Sequence, residues 1–139
     1  MNTKATKRVI GIGGIFFKAD NPKELYAWYE RHLGIKSEHG VAIFPWRRAD
    51  DPSQETCTAW SIFPRDTTKS FGPRQAPFII NYQVEDLDAL LEALRTEGVT
   101  IDPKREEDEF GRFASIVDPE GNRIELWEPR KESGDAKNG

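Results

Sequence analysis

The sequence predicts an α+β fold built from two similar halves. Three observations carry that prediction. A strand, a helix and several further strands follow one another twice along the chain. The helix stops Gly34 and Gly98 lie 64 residues apart, and the helix caps Asn21 and Asp86 lie 65 apart. A period near half the chain marks a duplicated unit, and 139 residues suit one ordinary domain or two small modules sharing a core.

The first half opens with a predicted strand from Val9 to Lys18, rich in Ile and Phe and loosened by Gly11, Gly13 and Gly14. A helix follows. Asn21 suits the N-cap, Pro22 the first helical position, and Glu24 the acid of a capping box. Leu25, Trp28, Tyr29 and Leu33 recur at three- and four-residue intervals and form an apolar stripe, which Gly34 terminates. Strands are expected over Ser37 to Trp46 and Thr56 to Phe63, around the turn-rich Arg48 to Gln54.

Residues 64–76 are polar and punctuated by Pro64, Gly72 and Pro73, and read as a linker between a first module at 9–63 and a second at 77–129. The second module repeats the pattern. Phe78 to Val84 is a strand, and Asp86 to Thr96 is a helix with Leu87, Leu90, Leu91 and Leu94 on one stripe. Strands follow at Thr100 to Asp102, Phe110 to Val117 and Asn122 to Trp127, and a Pro-Glu-Gly turn after Asp118 joins the last two. The acidic run Glu106 to Glu109 reads as a solvated loop, and the charged tail 130–139 as disordered.

Composition excludes several classes of function. The net charge of −4 argues against a nucleic-acid surface, and no apolar run is long enough to span a membrane. A single cysteine, Cys57, rules out an internal disulfide and a cysteine-based zinc cluster. A cytoplasmic protein is the simplest expectation.

The run Asp118-Pro-Glu-Gly-Asn-Arg-Ile-Glu-Leu-Trp-Glu-Pro129 resembles the closing turn and strand of the vicinal oxygen chelate superfamily, which includes glyoxalases, bleomycin-resistance proteins and extradiol dioxygenases. Asn21-Pro22, Trp28-Tyr29 and Leu33-Gly34 fit the family's front half, and Val84 to Leu87 with Gly98-Val99 fit its second. The resemblance covers Val9 to Pro129. It implies two βαβββ modules whose sheets curve around a cavity, a homodimer, and in many members a divalent metal. Four side chains hold that metal, from the first and last strand of each module, where it stabilises an enolate or activates dioxygen.

Carried over residue by residue, that ligand set largely lapses. The first-strand positions are Gly14 and Ile79, the last strand of the first module offers nothing acidic from Ala59 to Ser61, and only Glu125 is retained. One carboxylate does not hold such an ion usefully. His32, near a helix end, and His39, in a turn, lack ligand spacing. The expectation is therefore a protein without the family metal or any other cofactor.

Strand alternation then defines the cavity-facing set. It comprises Gly14, Phe16 and Lys18 on the first strand, Ile79, Asn81 and Gln83 on its counterpart, and Arg123, Glu125 and Trp127 on the last. Ile124 and Leu126 turn toward the helices. Glu125 is the candidate catalytic residue, since a carboxylate among apolar walls can remove a proton beside a carbonyl. Alternatively it is an inherited acid paired with Lys18 or Arg112. Phe16, Lys18, Asn81, Gln83, Arg112 and Trp127 are the candidate ligand contacts. For Trp60 and Trp127 the alternatives are ligand stacking and core or dimer packing, with packing the better reading, and Cys57 reads as a small core hydrophobe. Three readings follow: a metal-free small-molecule binder, a lyase or isomerase using Glu125 as base, and a metal-dependent enzyme drawing ligands from elsewhere.

Overall fold

A computed structural model describes residues 8–130. The first half contains β1 (Val9–Ala19), α1 (Pro22–Leu33), β2 (Ala42–Arg47) and β3 (Glu55–Pro64). The second contains β4 (Phe78–Val84), α2 (Leu87–Thr96), β5 (Thr100–Ile101), β6 (Glu106–Asp108), β7 (Gly111–Val117) and β8 (Arg123–Pro129). Arg130 is tied down by hydrogen bonds to the carbonyls of Asp108, Glu109 and Phe110, and the rest of the expected tail lies outside the described residues.

All strands join one mixed sheet in the order β2-β3-β1-β4-β8-β7-β5, with β6 also on β7. In each half the last strand lies parallel beside the first, β3 on β1 and β8 on β4. The halves meet where β1 and β4 pair antiparallel, with Ile15 opposite Ile80 and Gly14 opposite Asn81. The expected repeat is thus real in three dimensions. Phe16 faces Ser61 across its ladder as Asn81 faces Glu125 across the other, and Phe16 and Asn81 lie 65 residues apart.

Both helices cover one face of this sheet. Asn21 accepts from the Glu24 backbone N–H at 3.2 Å and Asp86 from that of Ala89 at 3.1 Å, so each helix starts on its cap. Leu87, Leu90 and Leu91 of α2 pack on Val84, Ala114 and Leu126 of the sheet, all buried. Beneath α1 lie Ala19, Ala42, Trp60 and Ile62, with Leu25, Tyr26 and Tyr29 packed on them. The α1 stripe is rotated from the one expected. Tyr26 joins it because its hydroxyl donates to the Gly40 carbonyl at 2.8 Å and accepts from the Ile62 N–H at 2.8 Å, while Trp28 and Leu33 stay exposed.

Two local differences have plain causes. The strand expected over Ser37 to Trp46 is shorter, because His39 and Gly40 take positive φ and the chain turns before Ala42, leaving one isolated bridge from Glu38 to Val41. The acidic run that read as a solvated loop is strand β6, since Glu106, Glu107 and Asp108 pair with Phe113, Arg112 and Gly111 on β7. A solvated edge strand tolerates acidic side chains that periodicity alone assigns to a loop.

Candidate functional site

The glycines of β1 clear the space in which the site is built. β1 bulges between Ile12 and Gly14 as it runs against β4. A Cβ on Gly13 would lie 2.3 Å from Asn81 Oδ1, 2.9 Å from the Trp127 ring and 3.0 Å from Gln83 Cγ, so three side chains of the second module use the room that a side chain would fill. On Gly11 a Cβ would meet the Trp46 ring at 2.3 Å, and on Gly14 the Phe16 ring at 2.6 Å. Thr58 of β3 holds this stretch of β1 from its other edge: its hydroxyl donates to the Ile12 carbonyl and accepts from Trp46 Nε1 at 2.8 Å.

Glu125 stands on the face away from the helices, between two partners. Asn81 Nδ2 donates to its Oε1 at 2.9 Å, and Lys69 Nζ to its Oε2 at 3.2 Å. Asn81 is buried, with its Oδ1 turned toward Gly13 and left without a hydrogen-bond partner. The Glu125 side chain is 14% exposed and that of Lys69 31%, so this pair is partly withdrawn from water. Removing one member of such a pair leaves the other charge poorly solvated.

A cavity of about 640 Å³ opens over this pair. Its walls are Glu125, Ser115 and Arg123 from β7 and β8, Phe63 from β3, Asp102 and Lys104 beyond β5, and Thr67 to Ser70 from the segment between the modules. The residues read as a linker therefore form one wall of the site. Phe71 anchors that wall: it is 2% exposed, packs edge-on against Phe63 at 5.9 Å, and carries Lys18 Nζ over its ring at 4.6 Å. Gly72, at φ 99°, lets the chain lie against Arg123, where a Cβ would approach the Arg123 backbone nitrogen to 2.9 Å.

Only some of the candidate residues meet here. Phe16 packs behind the lining residues, edge-on to Phe63 at 6.0 Å and 6.0 Å from Lys69 Nζ. Gln83 is fully buried, donating to the Cys57 carbonyl at 2.7 Å and accepting from the Thr56 hydroxyl at 2.8 Å, and so clamps β3 to the second module across the glycines. Trp127 stacks on Phe113 at 5.9 Å and donates to the Phe110 carbonyl. Lys18 is spent on Phe71 and does not reach Glu125.

Arg112 is displaced most from its expected place. Its neighbours in the ladder alternate, so it shares the helix side of β7 with Ala114, and its guanidinium pairs with Asp88 of α2 at 2.7 Å. Two guanidinium groups, from Arg105 and Arg112, hold the Asp88 carboxyl below the usual carboxylate range through hydrogen bonds. The partner of Glu125 is Lys69, which lies in a loop where no periodicity places a side chain. Cys57 is half-buried, and burial pushes its thiol pKa up, in keeping with a packing role.

The four positions at which a metal would be held are occupied by Gly14, Ser61, Ile79 and Glu125, taking Ser61 as the counterpart of Glu125. That donor set does not fit a divalent ion. The Ser61 hydroxyl donates to the Gly40 carbonyl, the Phe16 ring covers Gly14, and an ammonium already occupies Glu125. No group of three or more His, Cys, Asp or Glu side chains able to hold an ion occurs among the described residues.

A family model described as the Glyoxalase/Bleomycin resistance protein/Dioxygenase superfamily matches residues 11–126, which is nearly the whole described chain. The chain belongs to this superfamily. Solved structures of similar fold include a variant of Streptomyces coelicolor methylmalonyl-CoA epimerase in complex with 2-nitronate-propionyl-CoA, with a TM-score of 0.66 at 14% identity over 88% of this chain and 99% of that one. Methylmalonyl-CoA epimerase from Mycobacterium tuberculosis gives 0.58 at 21% identity over 94% and 95%. The 2,3-dioxygenase LapB from Pseudomonas sp. KL28 gives 0.58 at 22% identity over 91% of this chain and 43% of that one. At these identities the likeness is one of fold. No curated protein matches the sequence. No helix among the described residues is long and apolar enough to cross a membrane.

The crowding over Gly13 generates a direct test. Gly13→Ala is expected to cost about 1–3 kcal/mol, the range for overpacking a tight interior, because its methyl displaces Asn81 and Trp127. Urea denaturation measures the loss, and a stability unchanged from wild type would show that the site is not packed as described.

Proposed function

We propose that this superfamily member binds a small organic molecule in the cavity over Glu125, without the family's metal. The single observation that carries the reading is the Lys69–Glu125–Asn81 arrangement at the base of a cavity of about 640 Å³. A few convergent polar groups set among aromatic walls, here Phe63 and Phe113, is what a small-molecule site requires. The donor set supports the metal-free part, since a cation placed at Glu125 would have to displace the Lys69 ammonium.

A second reading has its own support. Asn81 fixes one oxygen of Glu125 from beneath, and a carboxylate held in a set orientation is suited to general-base work on a ligand's acidic C–H, as in a lyase or isomerase. The structural neighbours include epimerases, which makes carbon-centred proton transfer the reaction class to try first.

A thermal-shift screen of small organic acids and carbonyl compounds tests the first reading. Hits should shift the amide resonances of Ser115 and Glu125, and a screen in which no compound does so would overturn it. For the second reading, Glu125→Gln keeps the shape but not the base. It should retain hit binding and lose at least about a hundredfold in proton exchange at the ligand carbon, in line with general-base contributions. Exchange that survives unchanged would remove Glu125 from that role.

A homodimer in the cytoplasm completes the proposal. The exposed Ile12 and Ile15 on the helix side of β1, at 38% and 39%, support a covered face. Light scattering should return about twice the chain mass, and a monomer at every concentration would contradict it.

A further inference from the structure

We propose that Lys69 is the cationic centre of the cavity and binds an oxygen anion of the ligand beside Glu125. The inference rests on the ligand-site reading above and adds the charge that the ligand presents. An ammonium carries three N–H donors. One is taken by Glu125 Oε2, and Nζ lies over the faces of Phe16 and Phe63, 6.0 Å from each ring centroid. Lys69 and Ser115 both line the cavity, and the Lys69 side chain is 31% exposed, which leaves donor capacity for a ligand there.

Ser115 is the second half of the site. It lies directly across the ladder from Glu125, is 5% exposed, and its hydroxyl has no protein partner among the described residues while lining the cavity. Ser115, paired with Glu125 across the ladder, and Lys69, bonded to its carboxylate, thus offer two donors to an oxygen beside that acid. Each other cation on the cavity wall is engaged, Arg123 with Asp102 at 3.0 Å and Lys104 with Glu106 at 3.6 Å. Lys69 is the cation whose partner is itself a candidate base.

That sharing has a chemical consequence. If Glu125 removes a proton from a carbon next to a carbonyl, the C–H bond breaks, the proton moves to a Glu125 oxygen, and the electron pair ends on the carbonyl oxygen as an enolate. The negative charge passes from Glu125 to the ligand, and Lys69 stands within reach of both ends of the transfer. The net charge of the site is the same before and after, and a preorganised cation of this kind stabilises charge where it develops. The ligand class is therefore a small carboxylate, or a carbonyl compound that enolises.

Oxalate, a planar dianion, and oxamide, its neutral isostere, are suitable probes, titrated by NMR at matched ionic strength. In the wild type, oxalate should shift the Lys69 side-chain resonances together with the Ser115 and Glu125 amides, and bind at least about tenfold tighter than oxamide, the scale of one charge-assisted contact. Lys69→Met, which keeps the length and removes the charge, should weaken oxalate at least about tenfold, and Lys69→Arg should restore most of it. Equal oxalate affinity in wild type and Lys69→Met, or oxamide binding as tightly as oxalate, would overturn the inference while leaving the cavity as a ligand site. If neither probe and no compound from the screen perturbs the cavity residues, both proposals fall. Should Lys69→Met not fold, the Lys69 Cε resonance of the wild-type protein decides the matter, since oxalate that shifts the cavity amides without shifting it contradicts the proposal.

Discussion

The antiparallel pairing of β1 with β4 is the contact on which the remaining geometry depends. It joins the two modules into a single sheet, so residues as distant in sequence as Val9 and Val84 become neighbours across one seam. The seam is unusual in composition. β1 contributes Gly11, Gly13 and Gly14 where a central strand would ordinarily carry branched side chains, and the second module fills the space at Gly13 from its own side with Asn81, Gln83 and Trp127. Gln83 then crosses the glycines to bond β3, and Asn81 turns back to hold Glu125. A side chain at Gly13 would disturb both contacts. The seam thus links module pairing to the orientation of the acid at the base of the cavity.

Around that acid the charges are matched in pairs. Lys69 with Glu125, Arg123 with Asp102 and Lys104 with Glu106 balance one another, and the first two pairs are partly shielded from water. Pairs further out, such as Arg105 and Arg112 with Asp88, are more exposed and worth correspondingly little. The difference matters for function. Under the proposed role, an entering ligand would meet walls that are neutral overall but strongly polarised, and the cation offered to it would come from the segment between the modules, which Phe71 and Gly72 fasten to the sheet.

Much of this was legible in the sequence because it rests on periodicity and on local chemistry. The helix caps at Asn21 and Asp86, the leucine stripe of α2 and the turn after Asp118 each follow from a few adjacent residues. Strand alternation placed Glu125 and Asn81 on one face, and the register puts them opposite each other. Alternation could not show which polar groups would satisfy one another. Gln83 and Lys18 point to sensible sides and are then consumed by Cys57, Thr56 and Phe71. Arg112 was misplaced because its partner, Asp88, sits on a helix whose position over the sheet is a tertiary fact. Lys69 was invisible for a related reason: a loop has no period, and only the burial of Phe71 two residues later fixes where it points. A lone aromatic followed by Gly-Pro in a polar stretch was the signal available.

Everything proposed for this cavity requires that a protein ammonium, and not a divalent ion, neutralises Glu125. Calorimetric titration of the purified, chelator-treated protein with Mn²⁺ tests that requirement. No stoichiometric binding is expected at micromolar concentrations, with the same result for Glu125→Gln. Tight one-to-one uptake of Mn²⁺ that disappears in Glu125→Gln would contradict it.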